Sequence, residues 1–498
     1  MHINEFPYEI LSNILEEASR LEERDGVAYT FGLSQAPQPG YKAKLQRYVR
    51  GPLRPDMLRW DATASIRRVC PQWHQWAIEY AMREVYIRRW QGSERWAELP
   101  QQRDKYSLYE LVDKPSGTAV YRDPYRSLRH TVKLLERYPE LAAKVRRIWF
   151  DGFYVAETDV QICSALHACS SLQSVTMPWT TLRHLSGREW KALLGLGPTH
   201  TTPLRSLELL AVDLPARQAQ DAANQYDERP LETGGVNFSQ LRRLKIFGNT
   251  DFMPVCDRDL HAISRTATQL EHLHVTGLST VTVDGVMALV KSSRATIRTL
   301  EHSPRADAGF RYPHPGHAQT TAGATAGATE EHLCEVLTSC PRLTDLSVSL
   351  PSMCAALFAN RGVRWRGDCQ VRAAHLCPVA DHRPNNASAD ALAALADTLA
   401  EARGLVAAKA ASVLPDTLNL ELFYSDVIFE PHAARVHGDF ALAEVSAGGR
   451  WPGRKGQSRK GPYGTTGLYG KDEGEMFEMV NEEVYLEGVR RGFVGITA

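Results

Sequence analysis

Apolar residues at positions 10, 11, 14, 15 and 18 (Ile10, Leu11, Ile14, Leu15, Ala18) recur at helical spacing and predict a helix opening at Phe6-Pro7. Proline suits a first helical turn because its missing N–H has no partner there, and Glu9 complements the helix dipole. From about Glu22 to Asp61 the pattern lapses. Pro37, Pro39, Pro52 and Pro55, with Gly32, Gly40 and Gly51, exclude a long regular element and predict an insertion loop. Its second half is basic and aromatic (Lys42, Lys44, Arg47, Arg50, Arg54 and Arg59 among Tyr41, Tyr48 and Trp60), as suits a solvated surface loop. The helical pattern resumes with Ile66, Val69 and Cys70 on one face and Trp73, Trp76, Ala77 and Tyr80 on the next. A proline inside one helix costs ~3 kcal/mol, so a new helix is expected to start at Pro71. Three short helices result, with more apolar surface than they bury among themselves.

From about Val145 the period changes. Apolar triplets spaced 1-4-6 recur as Val145/Ile148/Phe150, Leu172/Val175/Met177, Leu204/Leu207/Leu209, Leu241/Leu244/Ile246, Leu270/Leu273/Val275 and Leu343/Leu346/Val348. A weaker copy sits at Ile297/Leu300, and Leu418/Leu420/Leu422 reads as another strand. Amphipathic helices precede several of them, at Leu260–Ile263, Val286–Val290 and Leu333–Leu337. Helix plus strand at a period of roughly 27–30 residues is the leucine-rich-repeat signature. One such unit cannot bury its apolar face alone, so neighbours stack. A doubly wound α/β domain also alternates helix and strand, but no glycine-rich phosphate loop follows the first strand here. The segment His302–Glu330, rich in Pro, Gly, Ala, Thr and His, reads as a loop. Ala387–Ala411 reads as an alanine-rich helix, Gly449–Gly470 as a basic glycine-rich loop, and Glu475–Arg491 as a last, capping helix.

Composition narrows the function. The 498 residues carry 58 Lys+Arg against 58 Asp+Glu, a formal charge of zero. That balance argues against a general nucleic-acid binder, whose affinity rests on excess basic charge. The opening residues lack a secretory pattern, and no apolar run reaches the roughly 18–20 residues of a membrane helix. The nine cysteines are scattered and form no CxxC pair. They read as buried reduced thiols of an intracellular protein, cytoplasmic or nuclear.

The helical segments carry a recognisable signature. Phe6-Pro7-x-Glu9-Ile10-Leu11-x-x-Ile14-Leu15, followed by Ile66-Arg67-Arg68-Val69-Cys70-x-x-Trp73, resembles an F-box. Cys340-Pro341-x-Leu343-x-x-Leu346-x-Val348 resembles the cysteine-containing leucine-rich repeats of F-box proteins. This sequence departs from the family in the long insertion between the two halves of the motif. The resemblance implies a substrate-recognition adaptor of an SCF-type cullin–RING ubiquitin ligase. The F-box would bind the linker subunit and the repeats the target protein. By position, Phe6, Pro7, Ile10, Leu11, Ile14, Leu15, Val69, Cys70 and Trp73 would form the linker dock or its supporting core. The alternative is a leucine-rich-repeat scaffold unrelated to ubiquitination.

The fold class expected is therefore α/β, a three-helix F-box-like domain followed by an irregular repeat solenoid with parallel strands on its concave face and helices on its convex face. The helical domain would span 3–95 with its insertion at about 22–61, and a helical connector 96–144. The solenoid would span 145–430 with a flexible loop at about 302–330, and a C-terminal loop and capping helix 431–498. In such an array the residue between the second and third apolar positions of each strand faces the target. That rule nominates Trp149, Thr176, Glu208, Lys245, His274, Glu301, Ser347 and Glu421.

The catalytic motifs fall short of their chemistry, so a non-catalytic adaptor without cofactor or metal is expected. Gly448-x-x-x-x-Gly453-Arg454-Lys455 places Arg454 where a phosphate-binding loop needs Lys, and lacks its Ser/Thr. His272-x-His274 puts two imidazoles on one strand face, but no Cys or carboxylate stands at ligand spacing. Cys70-Pro71, Cys340-Pro341 and Cys377-Pro378 fit helix-end packing. No GxSxG or HExxH occurs.

Overall fold

The computed structural model describes residues 3–30, 63, 65–88, 110–113, 119–122, 125–153, 156–196, 202–210, 230–233, 235–247, 255–278, 281–303, 333–376, 387–412, 417–424, 427–438, 459–460 and 476–491. The chain is mixed α/β, built on a run of mostly parallel strands. It divides into two compact units: residues 1–215 with 228–236, and residues 237–498 with 216–227.

In the first unit, α1 (Tyr8–Thr30) begins where Pro7 predicts, with the Pro7 carbonyl accepting from Ile10 and Leu11 N–H. It runs past Glu22, where the apolar pattern lapses. Glu, Arg and Ala are good helix formers without an apolar stripe, and the Glu16–Arg20 ion pair at 2.6 Å spans one turn. The rest of the expected insertion, 31–62, lies outside the described residues. The middle helix shrinks to a single 3-10 turn, Ile66–Arg68, before α2 (Pro71–Ala81). Pro71 occupies the first turn of α2 and forces Cys70 into an extended conformation (φ −159°, ψ 168°), so the chain breaks there as the proline requires.

Directly after α2 comes β1 (Glu84–Arg88), a strand inside the span expected to be helical. The expected helical connector contains a hairpin, β2 (Glu110–Asp113) with β3 (Ala119–Arg122), and the helix α3 (Arg126–Arg137). Val112, Val120 and Tyr121 are strand formers, and their paired register overrides the connector reading. Then β4 (Arg147–Asp151), α4 (Ala156–Ala168), β5 (Ser174–Pro178) and β6 (Ser206–Leu210) complete a parallel order β1-β4-β5-β6.

The second unit alternates more regularly. β7 (Arg243–Phe247), α5 (Asp257–Ser264), β8 (His272–Thr276), α6 (Val283–Ser292), β9 (Thr299–Ser303), α7 (Leu333–Thr338) and β10 (Asp345–Met353) follow one another. After them come β11 (Gly367–Leu376), α8 (Ala387–Ala410) and β12 (Leu418–Tyr424). Strands β7 to β12 are parallel. β13 (Val427–Glu430), β14 (Arg435–Gly438), β15 (Arg459–Lys460) and β16 (Met476–Asn481) extend the order antiparallel as β12-β13-β14-β16-β15. β16 occupies the first part of the expected capping helix. Asn481 ends it by accepting Glu483 N–H at 2.8 Å, which starts α9 (Glu482–Arg490).

All six complete 1-4-6 triplets are buried in the interior, as their spacing demands. Helices α5, α6 and α7 pack on one another in chain order. Asp257 at the start of α5 accepts from Thr282 N–H (2.9 Å) and Oγ1–H (2.7 Å), fastening the start of α6 to the preceding helix. The expected loop at 302–330 starts later than the composition suggests: His302 and Ser303 belong to β9, and His302 is buried. Positions 304–332 lie outside the described residues. So does the expected glycine-rich loop, apart from the short strand β15.

Candidate functional site

The nine residues nominated for the linker dock separate into two sets. Leu11 and Leu15, 1% and 2% exposed, point into a small core with Ile66, Trp76 and Ala77, and Trp73 and Tyr80 pack against it. Ile10, Ile14 and Val69 point outward at 47%, 40% and 56%. Pro7 is also exposed, and Phe6 and Cys70 are half-buried. The helix geometry explains the division. Leu11, Leu15 and the buried Ser19 follow a four-residue spacing along one line of α1, while Ile10 and Ile14 lie one residue round from it. Tyr8 and Leu21 are large exposed apolar residues of the same helix.

Polar contacts hold this helix pair in place. Trp76 Nε1–H donates to Ser12 Oγ at 2.8 Å, and the Trp76 and Tyr80 rings stack at 4.9 Å. Arg83, just beyond α2, reaches Glu16 of α1 at 3.1 Å. The two helices are thereby closed on one face and leave the Ile10/Ile14 face of α1 exposed.

The residues nominated for target contact come into strict register. In the first unit Tyr86, Trp149, Thr176 and Glu208 are successive cross-strand partners. In the second unit the row runs Lys245, His274, Glu301, Ser347, Gln370, Glu421. Tyr86 and Gln370 complete the two rows: β1 carries the same spacing as Met82/Val85/Ile87 but within a span that reads as helix, and β11 has Arg366 in place of the first apolar residue.

These side chains are not the open ribbon that was expected. Trp149, Thr176, Glu208, Lys245, His274, Ser347 and Glu421 are all buried, and Glu301 is half-buried. Strands about 4.8 Å apart bring each side chain against its neighbours, and the polar groups engage one another. Thr176 Oγ1–H donates to Glu208 Oε2 (3.1 Å), and Arg147 lies 3.8 Å from the same carboxylate and over the Trp149 ring. His274 Nδ1 meets Glu301 Oε2 at 2.9 Å, and Gln370 Nε2–H donates to Glu421 Oε2 at 2.8 Å. Arg372 reaches Ser349 Oγ at 2.8 Å and Ser347 Oγ at 3.3 Å. Lys245 Nζ sits 4.3 Å from the Phe247 ring centroid. Buried polar groups settle in such networks because leaving them unpaired costs their full desolvation.

The His272/His274 pair finds Thr299 and Glu301 rather than a shared ligand set, and the described residues hold no cluster of three metal-ligating side chains. Burial lowers the affinity of His272 for a proton. Elsewhere in the first unit, Asp159 Oδ2 lies 2.6 Å from His184 Nδ1, and burial raises the Asp159 carboxyl above its ordinary range. Nearby on α4, burial pushes the Cys163 thiol up to about 12, so its sulfur stays protonated. Gly448–Lys455 and Cys377 lie outside the described residues.

No protein-family model matches the chain, and no curated protein matches it. Among the described residues, no helix is long and apolar enough to cross a membrane.

Proposed function

We propose that this chain is a substrate-recognition adaptor of an SCF-type cullin–RING ubiquitin ligase. In this reading the outward face of α1, with Ile10, Ile14, Pro7 and Val69, docks on the linker subunit. Leu11, Leu15 and Trp73 support it from beneath, and the strand-bearing units hold the target protein. The observation that carries the reading is the split of the apolar stripe. Two adjacent helices satisfy their own core with Leu11, Leu15, Ile66 and Trp76, yet Ile10 and Ile14 stay in water. Surplus apolar surface of this kind marks a contact site. It falls on the positions that the F-box resemblance assigns to the dock.

The test is co-purification of the intact chain with the linker subunit. Ile10→Ser combined with Ile14→Ser removes the exposed anchors and leaves the core residues in place. Loss of association with unchanged circular dichroism is the expected result. A wild-type chain that fails to bind the linker subunit overturns the proposal.

A second reading, a leucine-rich-repeat scaffold without a ligase, draws on β1. This strand follows α2 and pairs in parallel with β4, so the helix pair feeds straight into the strands as a cap would. Under that reading the double serine variant loses no partner. Removing residues 3–81 exposes β4 and its neighbours to fast amide exchange.

A further inference from the structure

We propose that Cys334 and Cys354 are a modification site: they form a reversible disulfide when the protein meets a peroxide. Cys334 lies in the first turn of α7, and Cys354 directly follows β10. Their Sγ atoms stand 3.2 Å apart across 20 residues of chain. A disulfide bond measures about 2.05 Å, so roughly 1 Å of side-chain motion closes the gap.

Neighbouring cysteines are arranged differently. Cys340 Sγ–H donates to the Val336 carbonyl at 3.2 Å, and Cys369 Sγ lies 3.6 Å from the Arg366 carbonyl and 3.8 Å from that of Thr344. Those sulfurs face backbone oxygen, whereas Cys334 and Cys354 bring sulfur to sulfur. The pair also differs internally in access, Cys334 being 1% and Cys354 7% exposed. Cys354, the less buried of the two, is assigned as the sulfur that meets the oxidant, and Cys334, 3.2 Å away, as the one that resolves the product.

The chemistry balances with hydrogen peroxide as the only co-reactant. The Cys354 sulfur attacks one peroxide oxygen, and its proton passes to the oxygen that departs. An S–O bond forms, the O–O bond breaks, and the departing hydroxide takes up a proton as water. This leaves a sulfenic acid on Cys354. The Cys334 sulfur then attacks the Cys354 sulfur, the S–S bond forms, and the S–O bond breaks. The second hydroxide leaves and takes the Cys334 proton as a second water. Two thiols lose two electrons, and one peroxide becomes two waters. A dithiol reverses the bond by exchange. The bond would tie the start of α7 to the end of β10 and hold that repeat closed.

The test treats the full chain with hydrogen peroxide, blocks remaining thiols in denaturant, and maps non-reduced peptides by mass spectrometry. The expected product joins the Cys334 and Cys354 peptides, is two hydrogens lighter than their sum, and vanishes after dithiothreitol. Cys340→Ser keeps the link, and Cys354→Ser abolishes it. Oxidised wild type should melt a few degrees higher than reduced wild type, a shift absent in Cys354→Ser. Any of three results overturns the proposal: both thiols stay alkylated while other cysteines oxidise, either links to a different cysteine, or Cys354 proceeds to sulfinic acid without linking.

Discussion

Leu15 and Ile14 are neighbours in sequence with opposite environments, and replacing each by alanine separates core from docking surface. Leu15 is 2% exposed and packs with Leu11, Ile66, Trp76 and Ala77. Leu15→Ala removes three carbons from a closed site. At ~0.8 kcal/mol per buried CH₂, the transfer loss is about 2.4 kcal/mol, and the cavity left behind carries the total to about 3–5 kcal/mol. Ile14 is 40% exposed, so the same deletion loses about 1.4 kcal/mol of burial, and water fills the space. Alanine's better helix propensity returns about 0.4 kcal/mol, leaving about 1 kcal/mol. Hydrogen-exchange mass spectrometry over residues 8–21 and 71–81 reads both values locally, without assuming that the two units unfold together. At tenfold per 1.4 kcal/mol, Leu15→Ala should cut protection roughly 100- to 4000-fold and Ile14→Ala roughly fivefold. Linker-subunit affinity should show the opposite emphasis, with Ile14→Ala losing ~2 kcal/mol, or about 30-fold, while its fold persists. Equal losses of protection for the two variants would refute the division of α1 into an inner and an outer face.

Three further substitutions probe the units separately. His302 is buried and donates to the Val275 carbonyl at 3.1 Å, and burial lowers its pKa from 6.5 to about 4. Because the folded pKa is depressed, the unfolded chain binds the extra proton between those values. Stability is therefore intact above pH 6.5 and falls as pH drops to about 4, by roughly 3 kcal/mol; His302→Gln should flatten that slope in urea titrations of the second unit. Gly285→Ala would press a methyl group into the Asp257 carboxylate that holds Thr282. The variant should lower the melting temperature, although alanine gains ~1 kcal/mol in an unstrained helix. Ser12→Ala strips the acceptor from the Trp76 indole N–H and should cost ~1–3 kcal/mol, read by exchange in α1 and α2. Trp76→Phe in that background should recover part of the loss by removing the donor.

The repeat was legible because each triplet sets three large apolar side chains on one face at the same spacing. β1 was not: Met82, Val85 and Ile87 carry the same spacing, but they follow α2 almost without a break and read as its continuation. β11 was missed because Arg366 stands in the first apolar position, and Cys369, Val371 and Ala373 are small and alternate with Gln370 and Arg372, which are polar yet equally buried. Met476–Asn481 reads as helix from its Glu and Met content, yet pairing with β14 decides the matter, as tertiary context does for short segments. The linker-dock positions were legible as a set, but their division was not. Sequence spacing identifies neighbours on a helix without saying which line faces α2. Period-two alternation likewise assigns Trp149, Thr176 and Glu208 to one face and carries no information about their burial.

The partners of the polar ladder follow a rule that local spacing hides. His274 meets Glu301 27 residues on, Thr176 meets Glu208 32 on, Ser347 meets Gln370 23 on, and Gln370 meets Glu421 51 on. A search for a carboxylate within a few residues of His274 finds none that it bonds, because the partner belongs to the next repeat. The offsets vary widely, yet the strands never leave register. What holds them is the difference between the two faces, since a slip by one residue would exchange every apolar triplet with the buried polar row. Chain inserted between strands, including the 24-residue α8 between β11 and β12, is therefore absorbed outside the ladder. Matching by strand position rather than by distance along the chain pairs each polar residue with its counterpart. The same matching identifies Tyr86 and Gln370 as members of the row once β1 and β11 are recognised as strands.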